Sequence, residues 1–215
     1  HQQGAELGLT FLRDPKGRFE ANVRKLGEQT SATLIAECDV ASDESIGALI
    51  KQVDEQWGEL DFLVHSLAYA DTQDLSKPFS ETLRDGFNKA MEISAYSLLP
   101  LAKGVIPMMR KRGGGSIVSM SFIGSTLAVP NYNVMGPAKA ALESCTRYLA
   151  RELGPENIRI NSLSPGAIRT LSSAGIKDIS EMIRVAGEHS AMKRTATQAE
   201  VCLLYTSDAA DDRIC

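Results

Sequence analysis

Tyr132 and Lys139 stand seven residues apart in the run Pro130-Asn131-Tyr132-Asn133-Val134-Met135-Gly136-Pro137-Ala138-Lys139. Seven residues is close to two helical turns, so the spacing predicts both side chains on one face of one helix. A phenol can release a proton, and an ammonium beside it can hold positive charge ready. That pairing suits a reaction in which negative charge develops on a substrate oxygen. A free phenol has a pKa of ~10, which a neighbouring cation would lower. Taken singly, each residue has a plainer reading: an amphipathic tyrosine at a helix start and a solvated lysine. The spacing is what joins them.

Other chemistries find less support. The three histidines, at positions 1, 65 and 189, show no ligand spacing, so no metal site is expected. Cys38, Cys145, Cys202 and Cys215 form no CxxC pair, which points to a reduced, cytoplasmic setting. A net charge of −4 argues against a general nucleic-acid binder. The basic run Arg110-Lys111-Arg112 precedes Gly113, Gly114 and Gly115, as expected of a helix end whose dipole favours cations. No apolar stretch approaches the ~20 residues that span a bilayer, so no membrane partner is expected.

The elements that must position the pair alternate in type. Strand patterns cover Glu6–Leu12, Thr33–Cys38, Leu60–His65, Gly115–Ser121 and Ile158–Leu163. Helical patterns cover Arg18–Leu26, Asp43–Trp57 with Ser42 as N-cap, a long stretch from about Arg84 to Arg112, and Tyr132–Leu153. Near-continuous apolar strands between helices predict an α/β, Rossmann-like, doubly wound parallel sheet with helices on both faces. Ligands in that architecture lie beyond the carboxyl ends of the strands. A domain over residues 1–202 is expected. Residues 203–215 break the alternation and read as a non-native tail. No G-x-G-x-x-G occurs, and the sheet is expected to lack its first strand and its last strand.

These residues resemble the short-chain dehydrogenase/reductase superfamily, and within it the enoyl-acyl-carrier-protein reductases of fatty-acid synthesis. The string NYNVMG-x-AK over 131–139 carries the resemblance, because most of the superfamily places its lysine only four residues after the tyrosine. Supporting pieces are Cys38-Asp39-Val40, His65-Ser66-Leu67-Ala68-Tyr69-Ala70, Ile93-Ser94-Ala95-Tyr96-Ser97, Arg159-Ile160-Asn161-Ser162 and Ile168-Arg169-Thr170-Leu171.

The resemblance implies that Tyr132 hydrogen-bonds a thioester carbonyl while hydride from NADH reaches the β-carbon of a trans-2-enoyl group on acyl-carrier protein. It implies that Lys139 holds the nicotinamide ribose, and that Asp39 and Val40 surround the adenine. Ser66, Leu67 and Ala68 would line the cofactor, as would Ile168, Arg169, Thr170, Leu171 and Ser172. Tyr69, Ala70, Met135 and Ile176 would line the acyl chain, with residues 171–190 as a lid. The relatives are usually homotetramers, joined partly through the helices at 84–112 and 132–153.

Several positions keep two readings. Phe122 stands where many relatives have a second tyrosine; it could shield the hydride path or belong to the core. Asp39 could instead form an Asx-type turn before Ser42. His65 tempts as a general base but sits in an apolar strand end, as a core histidine would. Arg13 could pair with a 2′-phosphate, which leaves NADPH open beside NADH. Lys177 could meet an acidic carrier protein or simply be solvated. The competing functions are a carbonyl reductase of the same superfamily and an inactive cofactor-domain remnant.

Overall fold

Five parallel strands alternate with helices in the computed structural model, which describes residues 4–170, 173 and 178–204, with backbone alone over 202–204. The order is β1 (Gly8–Phe11), α1 (Arg18–Thr30), β2 (Leu34–Glu37), α2 (Asp43–Trp57), β3 (Phe62–His65) and α3 (Thr72–Ser76). Then come α4 (Arg84–Met91), α5 (Leu98–Arg112), β4 (Gly115–Met120), α6 (Met135–Leu153), β5 (Ile158–Leu163), α7 (Ile179–His189) and α8 (Gln198–Leu204). The α/β class is as expected.

Local chemistry explains several boundaries. The Ser42 hydroxyl accepts the Ser45 N–H at 3.2 Å, satisfying an orphan donor and starting α2 at Asp43. Gly113, at φ 84°, sends its N–H back to Arg110 O and ends α5 behind its three cations. The helix α1 runs on to Thr30, past the expected Leu26, because Ser31 adopts the left-handed conformation that closes it.

Two expectations about helices fail. The stretch from Arg84 to Arg112 is not one regular helix: a π-helical turn over Glu92–Tyr96 separates α4 from α5. Ser94 within that turn and Ser97 just after it are both fully buried, polar side chains that apolar spacing alone does not reveal. Helix α6 starts at Met135, so Tyr132 lies on a turn before it rather than on its face.

The strands also divide. Among the described residues, β1 pairs with β2, and β3-β4-β5 form a separate sheet. A single sheet was expected; no described strand bridges β1 and β3. In the larger sheet His65 pairs with Ser119 and Ser119 with Ser162, so the carboxyl ends of β3, β4 and β5 come into line.

Behind that edge lies the core. Leu98, Leu101, Ala102, Val105 and Met109 of α5 pack with Leu49 and Val53 of α2, Ile117 of β4 and Leu142 of α6. Each such side chain is worth about 1.5–3 kcal/mol of burial, which holds α6 firmly on the sheet. Ser119, Ser162 and Thr146 tie the same layers with mutual hydroxyl contacts of 2.7–3.2 Å.

Candidate active site

Lys139 sits in the second turn of α6 and is 4% exposed. Its ammonium donates to Met120 O at 2.6 Å and Leu67 O at 3.2 Å, reaching the ends of β4 and the segment after β3. An ammonium has three donors, and these two carbonyls use two of them. Burial pushes Lys139 down to about 8, and the negative charge of Glu143 works against that fall.

Tyr132 is positioned by different means. The turn over 130–134 is closed by Tyr132 N–H to Val129 O and Met135 N–H to Tyr132 O. Its neighbours Asn131 and Asn133 take φ values of 61° and 37°, a region that asparagine tolerates better than most residues. The Asn133 side-chain amide donates to Asp74 O, Leu75 O and Lys77 O at 2.8–3.2 Å. That amide ties the turn to the end of α3. An ideal Cβ on Gly124 would lie 2.4 Å from Tyr132 Cδ1, so only glycine lets this loop close over the ring.

Phe122 follows β4 and packs its ring against Tyr132, with centroids 4.7 Å apart. It is half-buried beside the phenol and stands outside the main apolar cluster. Met120, which receives Lys139, is two residues away. Tyr132 and Lys139 therefore converge on the carboxyl end of β4. Burial pushes the Tyr132 phenol above its ordinary value, and this outweighs the acidifying cation expected from the spacing. The phenol is a protonated donor at neutral pH.

The other expected residues divide. Leu67 meets Lys139 directly, while Ser66 and Ala68 expose small side chains at the same edge. Tyr69 donates its N–H to Ser94 Oγ at 2.9 Å, and that hydroxyl also lies 3.8 Å from Met135 Sδ. The π turn thus joins Tyr69 to Met135. The Tyr69 phenol is engaged elsewhere, donating to Asp71 at 2.6 Å and accepting from Lys89 at 3.1 Å. Ala70 is partly buried next to it.

Asp39 forms the Asx-type turn, accepting the Ala41 N–H at 3.0 Å, and Val40 packs on the core. Both follow β2, in the other sheet. Ile168 is partly buried; Arg169 donates to Ser180 Oγ and Thr170 exchanges hydrogen bonds with Ser173. Leu171, Ser172, Ile176 and Lys177 lie outside the described residues.

His65 is a core histidine. It is 1% exposed, and Nε2 lies 2.8 Å from Ser97 Oγ. Ser97 spends its one hydrogen on Ile93 O, so His65 must donate through Nε2, leaving Nδ1 bare and unpartnered. Desolvation, with a smaller push from the Lys139 charge, lowers it to about 4. It stays neutral and holds the π turn.

A cavity of about 410 Å³ also borders Tyr132, lined by Phe79, Gly124, Thr126, Leu127 and Pro137. Lys139 and the expected acyl-lining Tyr69 and Met135 are not among its walls.

Comparison with known proteins bears directly on this arrangement. The family model described as Enoyl-(Acyl carrier protein) reductase matches residues 1–211. The NADH-dependent enoyl-(acyl-carrier-protein) reductase of Synechocystis is 48% identical over 201 residues, covering 94% of this chain and 77% of that protein. The crystal structure of the corresponding Aquifex aeolicus enzyme superposes with a TM-score of 0.89 at 38% identity, over 98% of this chain and 82% of the other. That of Anaplasma phagocytophilum, solved with NAD, gives 0.85 at 38% identity over 94% and 76%. With the tyrosine and lysine drawn to one sheet end and these matches spanning nearly its whole length, the chain belongs to the enoyl-(acyl carrier protein) reductase family.

Proposed function

We propose that this chain reduces the C=C bond of a trans-2-enoyl thioester carried on acyl-carrier protein, using NADH, in fatty-acid elongation. The observation that carries the reading is that Tyr132 and Lys139 are both held at the carboxyl end of β4, Lys139 by its bond to Met120 O and Tyr132 by ring contact with Phe122. The cofactor fits what this edge offers. Lys139 keeps one N–H beyond its two carbonyls, suited to a ribose hydroxyl, and exposed Ser66 and Ala68 let a flat ring approach the backbone. Bound there, reduced nicotinamide supplies the hydride.

The protein's own residues do the rest. Tyr132 donates its O–H to the thioester carbonyl oxygen. This interaction strengthens as charge moves onto that oxygen, so it favours the transition state over the ground state. Lys139 keeps positive charge near the developing enolate. Phe122 covers one side of the phenol and limits the approach of water. Tyr69, Ala70 and Met135 would flank the acyl chain, with Ile176 as a further wall; Asp39 and Val40 would serve the adenine end. Ile168, Arg169, Thr170, Leu171 and Ser172 would follow the nicotinamide and pyrophosphate.

NADH is favoured over NADPH by Arg13, whose guanidinium lies 2.6 Å from the Glu37 carboxylate. A paired arginine beside a fixed negative charge is a poor receptor for a 2′-phosphate. Assembly as a homotetramer through α5 and α6 is part of the same reading, supported by Tyr148 of α6, which is 76% exposed. Among the described residues no helix is long and apolar enough to cross a membrane, and Cys38 and Cys145 are free thiols, in keeping with a cytoplasmic enzyme.

Tyr132→Phe tests the assignment. Crotonyl-thioester turnover should fall by roughly 10²–10³, the usual loss for one oxyanion donor, with NADH affinity unchanged. Undiminished turnover would reject the role. Reduction of a ketone in preference to the enoyl substrate would favour the carbonyl-reductase alternative.

A further inference from the structure

Glu143 lies one helical turn beyond Lys139 on α6, and the Ser121 hydroxyl donates to its carboxylate. Ser121 is buried and lies between the two residues of β4's end that the site uses. Met120 before it accepts the Lys139 ammonium; Phe122 after it packs on Tyr132. Ser121 is itself fixed by its N–H to Leu163 O at 2.8 Å. One carboxylate thus fastens α6 to the strand segment that both reactive groups lean on.

We propose that Glu143 and Ser121 form a positioning couple for Lys139. The carboxylate supplies counter-charge from one turn below, and the serine locks that carboxylate to the end of β4. The inference rests on the reading of Lys139 given above and adds what keeps it in service. A lysine given only two neutral carbonyls in a buried site has no compensation for its charge. Glu143 provides it without occupying the ammonium's remaining donor: Lys139 donates to Met120 O and Leu67 O and forms no ion pair with Glu143, whose Oε1 accepts from Ser121. A direct ion pair would have consumed that donor.

Two other titratable groups bear on the question. His65, from β3, is neutral above about pH 4, and Tyr132, from the turn, stays protonated through neutral pH. Between pH 6 and 9 the nearby charge that can be altered by substitution is that of Glu143.

Titration of Lys139 in protein labelled with 13C at the lysine ε-carbon tests this, with the signal assigned by Lys139→Arg. Glu143→Gln keeps a hydrogen-bond acceptor for Ser121 but removes the charge, and should lower the midpoint by roughly one unit. Glu143→Asp keeps the charge and should hold it within a few tenths of a unit. Exposed Glu152→Gln, a control for general charge effects, should leave it in place. NADH affinity of Glu143→Gln should equal that of the parent at pH 6 and be roughly fivefold weaker at pH 8, following the charged fraction of Lys139. An unmoved midpoint in Glu143→Gln, or an equal fall in Glu143→Asp, overturns the couple. A midpoint that moves as expected while NADH affinity ignores pH leaves the couple standing and rejects Lys139 as a cofactor residue.

Discussion

Lys139 and Tyr132 belong to one sequence motif, yet two different kinds of structure place them. Lys139 rides on a helix pinned by the apolar core, so its position follows from burial shared over many side chains. Tyr132 rides on a five-residue turn held by one amide and by two residues with positive φ. Burial of that first kind is redundant; the second has few substitutes. The lesson is that the acid of the pair is held more locally than the cation.

Breaking the helix side should cost the whole molecule. Leu142→Ala empties a fully buried site beneath α6 and should lower global stability by about 2–5 kcal/mol, measured by denaturant unfolding. A loss under ~1 kcal/mol would mean that the core does not fix α6.

The sheet edge next to it carries a pH signature. The folded-state value of His65, about 4, lies below its ordinary 6.5, so the unfolded chain binds the extra proton first. Stability from this residue is present above pH 6.5 and lost as pH falls to 4, by about 3 kcal/mol in all. Unfolding midpoints across that range should show the slope, and His65→Gln should flatten it.

The turn side should fail differently. Asn133→Ala removes donors from three carbonyls and should ease local opening of the turn, without unfolding the rest, by about 1–3 kcal/mol. Because the damage is local, turnover should drop while the global unfolding midpoint moves little. Equal loss in both would erase the distinction between the two regions. Arg13→Ala, far from either, should change stability by less than ~1 kcal/mol, as exposed ion pairs do, and leave the preference for NADH over NADPH intact.

Much of the helix side was legible from residue types. Ser42 followed by an amphipathic run defines α2, and the apolar run at Ile158–Leu163 defines β5, both with the bounds observed. Lys139 and Leu67 were both expected near the cofactor, and they touch. What escaped was set by tertiary geometry. Seven-residue spacing implied a helix through Tyr132, but Asn131 and Asn133 hold positive φ there, and no α-helix accommodates that. The role of Asn133 had a signal in its residue type, since asparagine tolerates that conformation; its three acceptors come from 56–59 residues away and leave no local trace. Ser121 and Glu143 are likewise 22 residues apart, joined only once β4 and α6 pack. At Asp39 the plainer turn reading is what the backbone shows.

The widened turn at Glu92–Tyr96 carries a consequence for how this protein tolerates changes in length. A π turn holds about one residue more than the α turn it replaces, so excising Ala95 or Tyr96 would let the stretch close as a regular helix and leave Ser94 and Ser97 only two positions apart, a spacing that does not share a face. Ser94 and Ser97 would lose their shared inward aim, releasing Tyr69 on one side and His65 on the other. A single-codon deletion, harmless in many surface loops, would in this place unfasten the wall of the site from its floor.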